Sequence, residues 1–396
     1  MKLFLTIFLN LILSSNVFAF DTGDGSDGTC DITGGATTQI TLAKRTYQCT
    51  TLAINGNSSV FKGAAGTILT IKVLGNVSVS SGVLFDLSGN DGSPGTIGAG
   101  TISGGIGGAG ASNGGSGTTT NGNAGAGTGA GSAGSLVSGV GAVYGGGGGG
   151  GSYKTVSAIV SSDGDNGGGA PSANGSNGAT YGSESNFENS FLAGSGGGAG
   201  GAAFDGTDTY KGSSGGGGGG GLIISSGGNI LIDGEIRTNG GAGGGLAATV
   251  FSGAGGGGSG GAVWLMATGT VTISATGIIS ATGGSSTVGT QAKNDSSGLG
   301  DFGFGGGGGN GRIRLDSGTG TITNNGSVTP APYSTTFTPT TSGSNSIATT
   351  KYQSAISCAK VVEEENLSFL INLFLGMFVI KLFFTHSKKM FFRALS

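Results

Sequence analysis

Four stretches of this chain repeat one pattern, and that repeat constrains the fold more than any other feature. They read TILTIKVLGNVSVSSGVLFDLSGNDG from Thr67, LIISSGGNILIDGEIRTNGG from Leu222, AVWLMATGTVTISATGIISATGG from Ala262 and RIRLDSGTGTITNNGSV from Arg312. Each has a β-rich run, a glycine turn, a second alternating run, another glycine and a last apolar residue. Ile71 to Val77, Ile224 to Ile230 and Leu265 to Val271 are each six apart, and Leu315 to Ile322 is seven. Ile224 to Leu265 and Ile230 to Val271 are both 41 apart, the recurrence expected of stacked rungs.

Alternation assigns the faces of each run. Val77 and Val79, Ile230 and Ile232, and Val271 and Ile273 point to one side of a strand, while Ser78, Leu231 and Thr272 point to the other. Glycines 82, 234, 277 and 326 then allow a bend, after which Leu84, Ile236, Ile278 and Val328 are expected to return inward. One unit cannot bury its own apolar face, but stacked units form a continuous core. Each buried Ile or Val contributes roughly 1.5 to 3 kcal/mol. The expected fold class is therefore all-β, a parallel β-helix or β-solenoid with long Gly-rich insertions. An antiparallel β-sandwich is the rival, because strand and glycine-turn patterns also make hairpins.

Glycine supplies 94 of the 396 residues, concentrated in insertions that run roughly from Asn90 to Gly221, Gly240 to Gly261 and Gly283 to Gly311. All three follow the last strand of a unit, so a stacked fold would place them on one side. Strict Gly-x-y periodicity is absent, which excludes a collagen triple helix. Such loops either stay mobile or pack on one another as extended, side-chain-poor strands.

The ends carry targeting signals. Lys2, the apolar run Leu3 to Leu13 and the exit Val17-Phe18-Ala19 form a secretory signal with cleavage expected after Ala19; a retained anchor is the alternative. Leu367 to Phe384 is an apolar stretch of about 27 Å as a helix, the span of a hydrocarbon core. Glu363, Glu364 and Glu365 precede it, and His386, Lys388, Lys389 and Arg393 follow, which puts the tail inside and the bulk of the chain outside. The expected organisation is a signal peptide (1–19), an N-terminal segment (20–60), the solenoid (61–328), a Thr/Ser/Pro linker (329–357), the Cys/acidic stretch with its transmembrane helix (358–385) and a basic cytoplasmic tail (386–396).

Cys358, the acidic stretch, the apolar helix and the basic tail together resemble the three-part C-terminal sorting tails of bacterial surface proteins, which a membrane protease cuts. The resemblance implies a sorting protease as partner, a temporary anchor and Cys358 as the processing or attachment point. A permanent single-span anchor is the other reading. In composition and in its ends the chain is similar to glycine-rich exported proteins of Gram-negative bacteria.

Cys30 and Cys49 are expected to pair in an oxidising compartment, closing 18 intervening residues. The bridge is worth about 3 kcal/mol on the chain-entropy model.

Chemistry has few candidates. Of 20 acidic and 17 basic residues, three and six belong to the ends, leaving 17 and 11, near -6, in the exported part, which argues against nucleic acid. The one His lies in the tail, so Ser-His and Cys-His activation are excluded there. No Gly-Lys pair exists for a phosphate loop. Asp21, Asp24 and Asp27 are weak calcium candidates without a terminal Glu. Asp163 with Asp165, and Asp205 with Asp208, read as turn residues or as the acids of a polysaccharide-degrading β-helix enzyme. Trp264 is expected to face outward, as a packing residue under an insertion or a sugar-stacking platform; Tyr144, Tyr153, Tyr181, Phe187 and Phe191 are spread through the large insertion. These observations favour a non-enzymatic envelope or surface protein, adhesive or structural, without cofactor or catalytic residues, meeting surface glycans or other envelope components. A polysaccharide-degrading enzyme and a membrane-tethered periplasmic binding module are the alternatives.

Overall fold

The computed structural model describes residues 21–337, apart from 34–38, 43, 57–59, 64–65, 137–144, 162–172, 205–206, 246–251 and 287–302. The signal sequence, Cys358, the apolar stretch Leu367 to Phe384 and the basic tail lie outside the described residues, as do Tyr144, Asp163, Asp165 and Asp205. Among the described residues no helix is long and apolar enough to cross a membrane.

The alternating runs fold as strands of a three-faced parallel stack. β1 (Thr29–Thr33) and β2 (Gln39–Leu42) open it, and β3 (Thr46–Cys49), β4 (Thr51–Asn55) and β5 (Val60–Gly63) make the first full turn. β6 (Leu69–Val73), β7 (Val77–Val79) and β8 (Leu84–Asp86) make the second. The large insertion follows, with its small hairpin of β9 (Ala203–Phe204) and β10 (Thr209–Tyr210). β11 (Gly221–Ser226), β12 (Ile230–Ile232) and β13 (Glu235–Arg237) form the next rung, then β14 (Ala262–Ala267), β15 (Val271–Ile273) and β16 (Ile278–Ser280). β17 (Arg312–Ser317), β18 (Ile322–Asn324), β19 (Ser327–Thr329) and β20 (Tyr333–Thr336) end the stack. The three sheets run β1-β4-β7-β12-β15-β18, β2-β5-β8-β13-β16-β19 and β3-β6-β11-β14-β17-β20. The ladders therefore span Thr29 to Thr336, wider than the 61–328 expected from the repeats, because β1 to β5 pair in the same sheets.

Register confirms the aliphatic columns. Leu52, Val77, Ile230, Val271 and Ile322 share one, and Ile54, Val79, Ile232 and Ile273 share another. Ile71, Ile224, Leu265 and Leu315 line the third sheet. In the second sheet the inward column is Phe85, Ile236, Ile279 and Val328. Leu84 and Ile278 thus face outward, contrary to the sequence expectation, because the bend uses one residue more than was assumed before these strands; Ile278 is 37% exposed. The seven-residue spacing in the last unit is absorbed by one extra residue in the turn before β18, where Gly320 has φ +77°. Two of the columns end in polar residues, Asn324 after Ile273 and Ser334 after Leu315.

Of the four bend glycines, only Gly82 has a left-handed backbone (φ +79°). Gly234 and Gly277 are needed for close stacking instead, since a Cβ there would meet the Ser80 and Ile232 carbonyl oxygens at 2.5 and 2.3 Å.

The insertions leave the stack at one corner, between the second and third sheets, and pack on one another as extended segments. Their bonding has a period of three. In the 194–202 segment, Gly194, Gly197 and Gly200 donate to Gly219, Gly216 and Ser213; Gly196, Ala199 and Ala202 donate to Ala126, Asn123 and Thr120; and Gly198 and Gly201 donate to Gly149 and Gly146. Its carbonyls accept from Ser112 and Gly115, from Gly131 and Gly134, and from Gly253, Gly256 and Ser259. Six neighbours therefore surround this segment, in a hexagonal array of helices with three residues per turn and no internal hydrogen bonds, the polyproline II class. The 212–221 and 252–261 segments are enclosed in the same way and run directly into β11 and β14.

This packing explains the glycine. Each of the three side-chain rows of an enclosed helix faces a neighbouring backbone, so a Cβ on Gly197, Gly215 or Gly256 would meet a carbonyl oxygen at 2.0 to 2.1 Å. On the outermost helices one row remains constrained: Gly175 and Gly178 point inward while Ala173, Asn174, Ser176 and Ala179 are exposed.

Candidate functional site

The outer face of the third sheet is where the chain brings its chemistry together. Strand alternation in RIRLD sends Ile313 and Leu315 into the core and Arg312, Arg314 and Asp316 outward, beside Trp264 and Met266 of β14. The large insertion returns over them through Tyr153, Lys154 and the 181–192 segment, which contains a single 3-10 turn at Glu184–Asn186. Phe187 and Phe191 pack on Trp264 at ring distances of 5.9 and 6.4 Å, and Tyr153 stacks on Tyr181 at 4.6 Å. Trp264 faces outward as expected and is nevertheless 4% exposed, a packing residue under an insertion.

Charges are matched within this layer. Lys154, Arg312 and Arg314 face Glu184, Glu188 and Asp316, three against three. Glu184 receives Arg312 at 2.6 Å and Lys154 at 2.8 Å; Arg314 reaches Glu188 at 2.5 Å and donates through Nε to Asp316 at 3.0 Å. Arg314 also donates to the Glu184 carbonyl at 3.0 Å, and Arg312 to the Tyr181 carbonyl at 2.6 Å. Trp264 Nε1–H donates to Asp316 at 2.7 Å. The Arg314 guanidinium lies 5.0 Å from the Trp264 ring and 5.7 Å from that of Tyr333.

The electrostatics follow from this enclosure. Burial pushes the Asp316 carboxyl above its ordinary range, and the bonds from Arg314 and Trp264 offset that only in part. Burial acts the same way on Glu184, but Lys154, backbone donors and Arg312 outweigh it and hold that carboxyl low. Burial raises both Tyr153 and Tyr181. Arg314 loses through burial and gains more from Glu188 and Asp316, so its pKa rises. Every carboxylate here is engaged by a cation or a ring N–H in a layer largely shielded from solvent, an arrangement suited to fastening the insertion to the sheet.

The N-terminal acids lie on the same sheet face, nearer the start of the stack. Asp21 pairs with Lys72, Asp27 pairs with Lys44 and accepts from the Gln48 amide at 2.9 Å, and Asp24 accepts from the Ser26 amide at 2.9 Å. They are spread along a strap rather than converged, and among the described residues no group of three His, Cys, Asp or Glu is placed to hold a metal. Cys30 and Cys49 are disulfide-bonded, with a Cα–Cα distance of 5.6 Å. Asp208 is exposed in the turn before β10.

The sequence marks Trp264 and the insertion aromatics but does not join them, and no motif in it singles out Lys154, Glu184, Glu188, Arg314 or Asp316. A usable signal was present. In a chain only 9% charged, three charges alternating with Ile and Leu inside one strand imply an outward face that another segment must cover. No known protein family, curated protein or solved structure matches this chain.

Proposed function

We propose that this chain is a non-enzymatic, exported envelope protein whose solenoid carries the glycine bundle as a rigid adhesive or structural surface. The observation that supports this reading is the outermost layer of the bundle, formed by the 121–126, 129–135 and 173–179 segments. It presents Asn123, Ala124, Ser132, Ala173, Asn174 and Ser176 to solvent. No charged residue occurs from Gly92 to Tyr153 or from Ala173 to Gly182. Side chains in one row repeat at about 9.3 Å, three residues at ~3.1 Å each. Such a face offers neutral hydroxyl and carboxamide groups at fixed intervals, matched to neutral, repetitive partners such as envelope glycans and not to polyanions. Tethering through Leu367 to Phe384, permanent or until a sorting protease acts near Cys358, would hold it in the envelope.

A Ser132→Cys substitution, compared with wild type to account for labelling at Cys358, tests the placement. A membrane-impermeant maleimide should label it in intact cells. Labelling only after outer-membrane permeabilisation would remove surface display, and labelling only after lysis would remove export.

A further inference from the structure

We propose that the 181–192 segment is an acid-released latch over the outer face of the third sheet. Elsewhere in the described body the ion pairs, Asp21 with Lys72, Asp27 with Lys44 and Glu235 with Arg237, are partly open to solvent. Its interior is built from aliphatic columns, and its bundle from backbone hydrogen bonds between glycines. The buried ion pairs lie instead under the 181–192 cover. The cover contributes Tyr181, Glu184 and Glu188; the segment ahead of it contributes Tyr153 and Lys154; β17 contributes Arg312, Arg314 and Asp316; and β20 contributes Tyr333.

At neutral pH three cations and three carboxylates cancel. As pH falls Asp316, held high by burial, takes up a proton first, and this does not open the cover, because a carboxyl group can still accept from Trp264. Glu184 behaves oppositely. Its folded-state carboxyl is held low, so its contribution is complete above the ordinary glutamate range and is lost as pH falls through the lowered value. Once Glu184 is neutral, Arg312 and Lys154 lose the carboxylate they share. Arginine does not deprotonate in this range, and the Arg312 and Arg314 side chains are only 9% and 8% exposed. Uncompensated buried cations are strongly unfavourable, and moving the cover outward is the one response that returns them to water while leaving ladders and bundle intact. Opening would bare Trp264, Met266 and Ile223 on the sheet and Phe187 and Phe191 on the cover, a contiguous apolar surface.

Trp264 is the chain's one tryptophan and reports the cover directly. Its emission and acrylamide quenching, followed from pH 7 to pH 2 on the full chain in mild detergent alongside far-ultraviolet circular dichroism, test the latch. We expect a red shift and a severalfold rise in quenching below the ordinary glutamate range, with the strand signal unchanged. Glu184→Gln, neutral at every pH, should give the red-shifted, readily quenched signal already at pH 7. Glu184→Gln combined with Arg312→Met should restore the closed, blue-shifted signal at pH 7, since the cation left stranded is gone. A Trp264 signal that changes only together with the strand signal, or a Glu184→Gln protein that keeps the closed signal at pH 7, would overturn the proposal.

Discussion

Placing one methyl group inside the glycine bundle should have the opposite sign to the same change in a loose loop. Gly256 sits in the enclosed 252–261 segment, donating to the Gly198 carbonyl at 2.8 Å and accepting from Gly216 at 2.9 Å. A Cβ at Gly256 would lie 2.1 Å from the Gly149 carbonyl oxygen, about an ångström closer than real Cβ atoms approach. Backbone on backbone cannot rotate away, so the 145–152 and 252–261 segments must separate. Overpacking of this kind costs about 1 to 3 kcal/mol. Two hydrogen bonds strained or lost add roughly 1 kcal/mol each, for a total of about 3 to 5 kcal/mol. In a mobile loop the same substitution stabilises by about 0.4 to 1 kcal/mol, through the entropy of the unfolded chain. Denaturant unfolding of Gly256→Ala against wild type, with the exposed Ala124→Ser as a control within about 0.5 kcal/mol, separates the cases. A Gly256→Ala protein as stable as wild type, or more so, would refute the hexagonal packing.

The other expectations follow from the ladders and the bridge. Ile232→Ala removes a fully buried side chain between Val79 and Ile273 and should cost about 2 to 5 kcal/mol in the same unfolding assay. Leu231→Ala, one residue away and facing out, should cost far less. Replacing both Cys30 and Cys49 by Ser should lower stability by about 3 kcal/mol, read as a shift in the denaturation midpoint that reductant reproduces in wild type and leaves unchanged in the variant. Asp316→Asn should keep the strand signal while changing Trp264 emission, because the indole N–H loses its charged acceptor.

Much of the stack was legible because a strand's period of two is written directly in Val77-Ser78-Val79 and its counterparts, and because the glycine-marked turns fix rung length. What failed was the fine register after the bend. Leu84-Phe85 and Ile278-Ile279 are apolar pairs, and adjacent apolar residues carry no alternation to say which one faces in. The bundle was harder to foresee. Its helices make no internal bonds, so nothing in one segment signals order; the signal lies in comparing segments, with unbroken glycine at 145–151 and 215–221 where all sides are covered and glycine at every third position in 173–178 where one side is open. The charged layer was missed because its two halves, 181–192 and 312–316, are over a hundred residues apart and meet only through the return of the insertion.

Amide hydrogen exchange across the 194–202, 212–221 and 252–261 segments tests the packed bundle most directly. If those glycines are bonded on all sides to neighbouring backbones, their amides should exchange as slowly as those of β11 and β14. Exchange complete within the dead time there, while the strands stay protected, would show that the insertions do not pack, and the rigid surface attributed to them would be lost.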